Sequence, residues 1–167
     1  VKTKSGVLQV LLKLEGDQIS VNMQQHFASK EYIASSYEDA LYACFSVPFT
    51  KKPEIWSTGV RDILYPIKSR ELLNQMSADF KAIEHISHTL NCIGIHAFAM
   101  EGDLIYARNF APLYGINEES ATGTSNGALI AYLHHNYAFE SDRYERKILQ
   151  GEAMGQLSLI HACSVKH

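Results

Sequence analysis

The amino-acid sequence predicts an α+β domain organised on one buried helix, and three observations carry that reading. Residues 107–133, ARNFAPLYGINEESATGTSNGALIAYL, run from an extended segment through a polar loop into a small-residue helix. In that helix Ala128, Leu129, Ile130, Ala131, Tyr132 and Leu133 follow one another, so apolar side chains surround the axis and the helix must be covered on most sides. Extended runs precede and follow it, and two capped helices are predicted mid-chain, so strands and helices both supply the wrapping.

The elements follow in chain order. Residues 6–14 and 18–25 are β-like runs joined at Glu15-Gly16-Asp17, where glycine supplies the positive φ of a tight hairpin turn. Ser36-Tyr37-Glu38-Asp39 has the composition of an N-terminal cap with acids in the first turn, and predicts a short helix with Leu41, Ala43, Cys44 and Val47 near one face. Lys51-Lys52-Pro53 ends it. Residues 54–60 and 62–68 are extended, with Gly59 expected as a bulge or point of close approach. Ser69-Arg70-Glu71-Leu72 opens a helix through Met76, and Ser77 or Asp79 caps another over residues 80–90, with Phe80, Ile83 and Ile86 or Leu90 spaced for burial. Residues 93–100 and 104–110 flank Glu101-Gly102-Asp103, which repeats the first hairpin turn. Residues 144–150 and 157–165 are the last extended runs, separated by GEAMG.

Composition limits the function. A chain of 167 residues suits one domain, large enough to bury roughly two-thirds of its unfolded surface. A formal net charge of -3 provides no dense positive field, so nucleic acid is not an expected partner. No apolar run approaches the roughly 18 residues of a membrane span, so no membrane partner is expected either. Cys44, Cys92 and Cys163 are odd in number and widely spaced, which suits reduced thiols in a cytoplasmic protein. The chain begins at Val1, inside a strand-like pattern, as a domain cut from a longer protein would.

The mouth of the central helix is where chemistry is expected. Thr122, Thr124 and Ser125 offer cap hydroxyls, and Gly123 allows close approach of a ligand. Free first-turn amides and the positive dipole end favour an anion such as a carboxylate. The competing reading is that Thr122 caps a core helix and the hydroxyls serve neighbouring backbone. Glu118 and Glu119 precede the helix, either as electrostatic caps or with one of them as a general acid or base. Arg108 pairs with a substrate carboxylate or, the better expectation, with one of these acids. Tyr114, Asn117 and Asn126 border the same loop. His85 and His88 stand three apart on a predicted helix near Glu84 and His96, but no third ligand has recognisable spacing, so no metal is expected. His134-His135 are expected to complement the negative end of the central helix.

The same stretch resembles the phenazine-biosynthesis-like (PhzF-like) isomerase and epimerase family, whose second lobe carries a similar Arg-Phe-Ala-Pro segment, a glycine, an acidic pair and Ala-Thr-Gly before a small-residue helix. Residues 2–6, Met23-Gln24, Trp56-Ser57-Thr58-Gly59, Gln150-Gly151, Met154-Gly155 and Ser158 extend the resemblance over nearly the whole chain. It implies a mixed, mostly antiparallel β-sheet or barrel wrapped around a central α-helix, one lobe of the diaminopimelate epimerase-like fold. It also implies proton-shuttling isomerisation without metal or cofactor, on a small carboxylate-bearing substrate held where two lobes meet. Glu119 then stands at the family's second-lobe acid, normally an aspartate followed by proline, whereas Ser120 follows here. Gly123 and Thr124 stand at its substrate-holding glycine and serine, with Thr122 and Ser125 beside them. In the sister diaminopimelate epimerases a cysteine occupies roughly the place of Thr122, and no cysteine here is near that motif, which disfavours a two-cysteine racemase. The resemblance makes residues 1–167 a single C-terminal lobe without its N-terminal lobe. The expected partner is therefore that lobe or a second copy in a homodimer, and the alternative function is a dimerising or small-anion-binding module.

Overall fold

The structure, a computed structural model, describes residues 2–3, 6–16, 18–138 and 140–166. Asp17 of the first expected turn, and Val1, Lys4 and Ser5 of the opening stretch, lie outside them. Strands β1 (Lys2–Thr3) and β2 (Gly6–Val7) form a minimal antiparallel pair. Strands β3 (Val10–Glu15) and β4 (Gln18–Met23) make the expected hairpin, with Glu15 opposite Gln18 and Gly16 at a φ of 64°. Then come β5 (Ser29–Tyr32), a 3-10 turn at Ser35–Tyr37, α1 (Glu38–Tyr42), β6 (Glu54–Ser57), β7 (Arg61–Pro66), α2 (Arg70–Gln75) and α3 (Phe80–Thr89). Strands β8 (Gly94–Glu101) and β9 (Leu104–Ala111), a 3-10 turn at Pro112–Tyr114 and β10 (Ile116–Glu119) lead into α4 (Gly123–Tyr137). Strand β11 (Arg143–Gln150), a 3-10 turn at Glu152–Met154 and β12 (Ser158–Val165) follow.

One mixed, mostly antiparallel sheet runs β12-β11-β9-β8-β7-β6-β5, with β10 paired to β9. Its two parallel pairs, β7 with β8 and β9 with β11, are each joined by a helical crossover. Parallel neighbours need such long connections, and the two crossovers lie on opposite faces. The first carries α2 and α3, whose Leu73, Ile83 and Ile86 pack on Ile63, Tyr65, Ile95, Ala97, Tyr106 and Phe110. The second carries α4, whose Ala128, Leu129, Ile130, Tyr132 and Leu133 pack on Trp56, Leu64, Phe98, Ile105, Ala107 and Ile148. Each strand thus sends alternate residues to the two cores, as the period of two requires. The sheet curls around α4, and a groove of about 440 Å³ between its two edges is lined by Lys30, Trp56, Ala131, His134, His135 and Ser164.

The buried central helix, both Glu-Gly-Asp hairpins and the Ser69 and Asp79 caps appear as expected. Ser69 accepts from the Leu72 amide, and Asp79 from those of Lys81 and Ala82. Four local expectations need correction. The helix after Ser36 has no side-chain cap and ends at Tyr42, because residues 44–46 pair with residues 77–79 through Asp79 N–H to Cys44 O and Ser46 N–H to Ser77 O. Gly59, at a φ of 148°, sits in the β6–β7 turn rather than in a bulge. Phe80, the first residue of α3, is exposed, whereas Ile83 and Ile86 further along the helix are buried. Residues 116–119, read as loop, add β10 beside β9 just beyond the end of β11.

Candidate active site

Beneath the first turn of α4 the apolar face of the sheet gives way to a polar floor, one residue from each of five strands. Asp62 (β7), His96 (β8), Asn109 (β9), Glu119 (β10) and Gln150 (β11) supply it, all buried except the half-buried Glu119. Register explains the convergence: His96 lies opposite Asn109, and Asn109 opposite Glu119. Asp62, His96, Asn109 and Gln150 alternate with Leu64, Phe98, Ala107 and Ile148, so they face the same helix.

Most of this floor is one hydrogen-bonded network, and its donors fix its polarity. Gln150 Nε2 donates to Glu119 O at 2.7 Å and to Thr122 Oγ1 at 3.0 Å. Gln150 Oε1 accepts from Thr122 N at 3.2 Å and Asn126 Nδ2 at 2.7 Å. Asn126 Nδ2 also donates to Thr122 O at 2.8 Å, so its Oδ1 faces His96 Nε2 at 3.1 Å, which must carry the ring proton. Burial lowers the His96 pKa, against the opposing hydrogen bonds of Asn109 and Asn126. Burial thus favours the neutral ring, while Nδ1 lies 2.9 Å from Asn109 Oδ1, so each ring nitrogen faces one amide oxygen. With Gln150 occupying a lone pair of Thr122 Oγ1, the Thr122 proton goes to Glu119 Oε2 at 2.5 Å.

That last bond is made by the residue that precedes the helix. Thr122 is the N-cap residue, yet its hydroxyl makes no capping bond to α4. The hydroxyl instead binds the Glu119 carboxylate beside the first turn. Gly123 is exposed, and a Cβ placed there would meet only Met23 Cε at 3.9 Å, so the mouth is open on that side. Gly127 is different: a Cβ would stand 3.0 Å from Gln25 Cγ and 3.1 Å from Thr58 Oγ1, where residues 25 and 58 pack against the helix. Thr58 Oγ1 also donates to Thr124 O at 3.2 Å.

The expected site residues are thus brought together, with one difference. Glu119, Thr122, Gly123 and Thr124 border the mouth, whereas Ser125 turns inward and is buried against the floor. Arg108 belongs to the architecture: it holds Glu118 with two bonds of 2.8 Å and donates to Leu73 O and Met76 O at the end of α2. Asn126 is a network member, while Tyr114 and Asn117 are exposed. His134 does not serve the helix end: its Nδ1 lies 3.0 Å from Ser164 Oγ and its Nε2 2.8 Å from Ser141 O. His135 Nε2 lies 2.8 Å from Lys30 Nζ. His85 and His88 sit on α3, across the sheet from His96.

Sequence reasoning missed Asp62, His96, Asn109 and Gln150 as members of the site. Asp62 is fully buried, neither carboxyl oxygen has a hydrogen bond of ordinary geometry, and Ser125 is the polar side chain that reaches it. Burial pushes its pKa up to about 7, partly offset by Ser125 and reinforced by the charge of Glu119.

A mixed sheet curled around one helix is a fold this chain shares with solved phenazine-biosynthesis and predicted epimerase structures. The PhzF-family phenazine biosynthesis protein of Bacillus anthracis superposes with a TM-score of 0.80 at 19% identity, over 98% of this chain and 58% of that one. A predicted epimerase of Pseudomonas aeruginosa superposes with a TM-score of 0.73 at 19% identity, over 92% of this chain and 54% of the other. The sequence profile described as phenazine biosynthesis-like protein matches residues 1–167, and the chain belongs to that family. An uncharacterized isomerase of Clostridium acetobutylicum is 32% identical over 95% of this chain and 57% of its own length. The trans-2,3-dihydro-3-hydroxyanthranilate isomerase of Pseudomonas aeruginosa is 25% identical over 97% of this chain and 56% of its own. The chain therefore spans little more than half the length of these curated relatives.

Proposed function

We propose that this chain forms one side of an isomerase active site, in which the mouth of α4 binds the carboxylate of a small substrate and Glu119 moves a proton on it without a cofactor. The observation that carries this reading is the pairing of an uncapped helix N-terminus with an acid beside it whose orientation is set by Thr122 and Gln150. Glu119 takes a proton from a carbon next to the bound carboxylate; the C–H electron pair delocalises toward that carboxylate, and the first-turn amides of Gly123 and Thr124 stabilise the charge that develops. Return of a proton to the same carbon from the opposite face, by a group across the cleft, gives the epimer. Where the substrate carries a C=C conjugated with that carbon, the electron pair also reaches the far end of the double bond, and protonation there, by Glu119 or by the group across the cleft, gives the double-bond isomer. The hydroxyanthranilate isomerase among the relatives supports a carboxylate as the common handle.

The second side of the cleft comes from an N-terminal lobe or from a second copy of this chain. Supporting a partner, Leu12, Leu14, Ile19 and Val21 share one face of the β3–β4 ribbon and are all more than half exposed. In a two-lobe protein carrying this sequence, Glu119→Gln is expected to lower kcat by at least about a thousandfold, within the usual range for a general acid–base group, with little change in carboxylate affinity. Retained turnover would remove Glu119 from the chemistry. The other reading, an anion-binding dimerisation module, predicts a homodimer by light scattering and no turnover with any added lobe.

A further inference from the structure

We propose that Asp62 couples anion binding at the mouth of α4 to a proton: an anion sits outside the first turn while Asp62 holds a proton beneath it, and loss of either releases the other. This rests on the reading of α4 as an anion site and adds a residue that nothing at the mouth itself reveals.

The geometry is specific to this one position in the floor. His96, Asn109, Gln150 and Asn126 all satisfy one another, and Glu119 has Thr122. Asp62 alone among the five is buried with no hydrogen bond of ordinary geometry, and Ser125, in the first turn of α4, is what it faces. A carboxylate under that turn would occupy the same positive field that an external anion needs, so the two negative charges compete for one helix end. A neutral carboxylic acid does not compete, and its O–H can donate to the Ser125 hydroxyl. Asp62 titrates near neutral pH, raised by burial, so either state is within reach. The titratable groups around it are Glu119 on β10, His96 on β8 and Cys92 just before β8. Arg61, its chain neighbour, directs its guanidinium away, to Glu31 and the carbonyls of Leu90 and Asn91. Among the described residues no cation therefore balances an ionised Asp62, which is why an arriving anion must bring a proton with it.

By linkage the effect is reciprocal. The test is a carboxyl carbon NMR titration of Asp62 in the protein with and without saturating sodium sulfate, with sulfate affinity followed through the Gly123 and Thr124 amides. Sulfate should raise the Asp62 midpoint, and its dissociation constant should weaken by at least about tenfold from pH 5.5 to 8.5, the scale of one added charge nearby. Asp62→Asn, neutral throughout, should bind sulfate with a constant that no longer follows this transition, while Glu119, His96 and Cys92 remain in both proteins. If Asp62→Asn fails to fold, the wild-type midpoint with and without sulfate decides alone. Sulfate binding at Gly123 and Thr124 with an unmoved Asp62 midpoint overturns the coupling but leaves the anion site standing. Absence of sulfate shifts at those amides at pH 5.5 overturns both.

Discussion

Asp62 costs the fold stability in a way that depends on pH. Its folded pKa, about 7, lies above the ordinary 3.8, so the folded state holds the proton more tightly than the unfolded chain does. The sign follows: there is no penalty below about pH 4, stability falls as pH rises from there through about 7, and the penalty is level once Asp62 is ionised in both states. The interval amounts to roughly 4 kcal/mol at 1.36 kcal/mol per pH unit. Asp62→Asn should therefore unfold at a higher urea concentration than the wild type at pH 8 and lose that advantage at pH 4; equal midpoints at pH 8 would contradict it. Gly123→Ala separates function from fold. Its Cβ meets only Met23 at 3.9 Å, so stability should hold or rise by up to about 1 kcal/mol, whereas carboxylate affinity measured by calorimetry should drop as the methyl enters the mouth. At this scale Glu119, Thr122, Gly123 and Thr124 were legible because hydroxyls, glycine and acid cluster before a helix. Asp62, His96 and Asn109 were not, although each is a polar residue in an apolar strand, in RDILYP, GIHAFAME and LIYARNFA. Period-two alternation tells which face such a residue takes; it does not tell that five strands align them at one level, which depends on register.

At the scale of elements, close approach between β8 and β9 depends on Gly94. A Cβ there would stand 1.9 Å from Phe110 O, an overlap relieved only by parting the strands. Gly94→Ala should lower stability by more than about 3 kcal/mol, beyond ordinary overpacking, and thermal unfolding would show it as a large drop in Tm. Arg108 joins β9, β10 and α2 through Glu118, Leu73 O and Met76 O. Arg108→Ala leaves the largely covered Glu118 carboxylate unpaired and should cost about 3 kcal/mol; a loss under about 1 kcal/mol would show that Glu118 finds water instead. The hairpins were legible from their glycine turns and the mid-chain helices from their caps, since both signals are local. Strands β5 and β10 were not: SKEY and INEE have no alternation, and they become strands only because β6 and β9 offer them an edge.

The whole molecule presents two unequal surfaces. Its core is complete around α4, yet one face of the β3–β4 ribbon carries Leu12, Leu14, Ile19 and Val21 uncovered. Apolar patches of that kind mark interaction sites, so the chain alone should associate at high concentration, and Leu12→Lys with Val21→Lys should reverse this in light scattering without lowering Tm. The buried helix announced the architecture, because residues apolar all round its axis demand a wrapping. The central claim, that the mouth of α4 is an anion site served by Glu119, is tested most directly by adding acetate to the 15N-labelled chain and mapping amide shifts. The largest should fall on Gly123 and Thr124, with Glu119 and Thr122 beside them. Shifts confined to the groove of Lys30, Trp56 and His135, with the mouth unmoved, would contradict it.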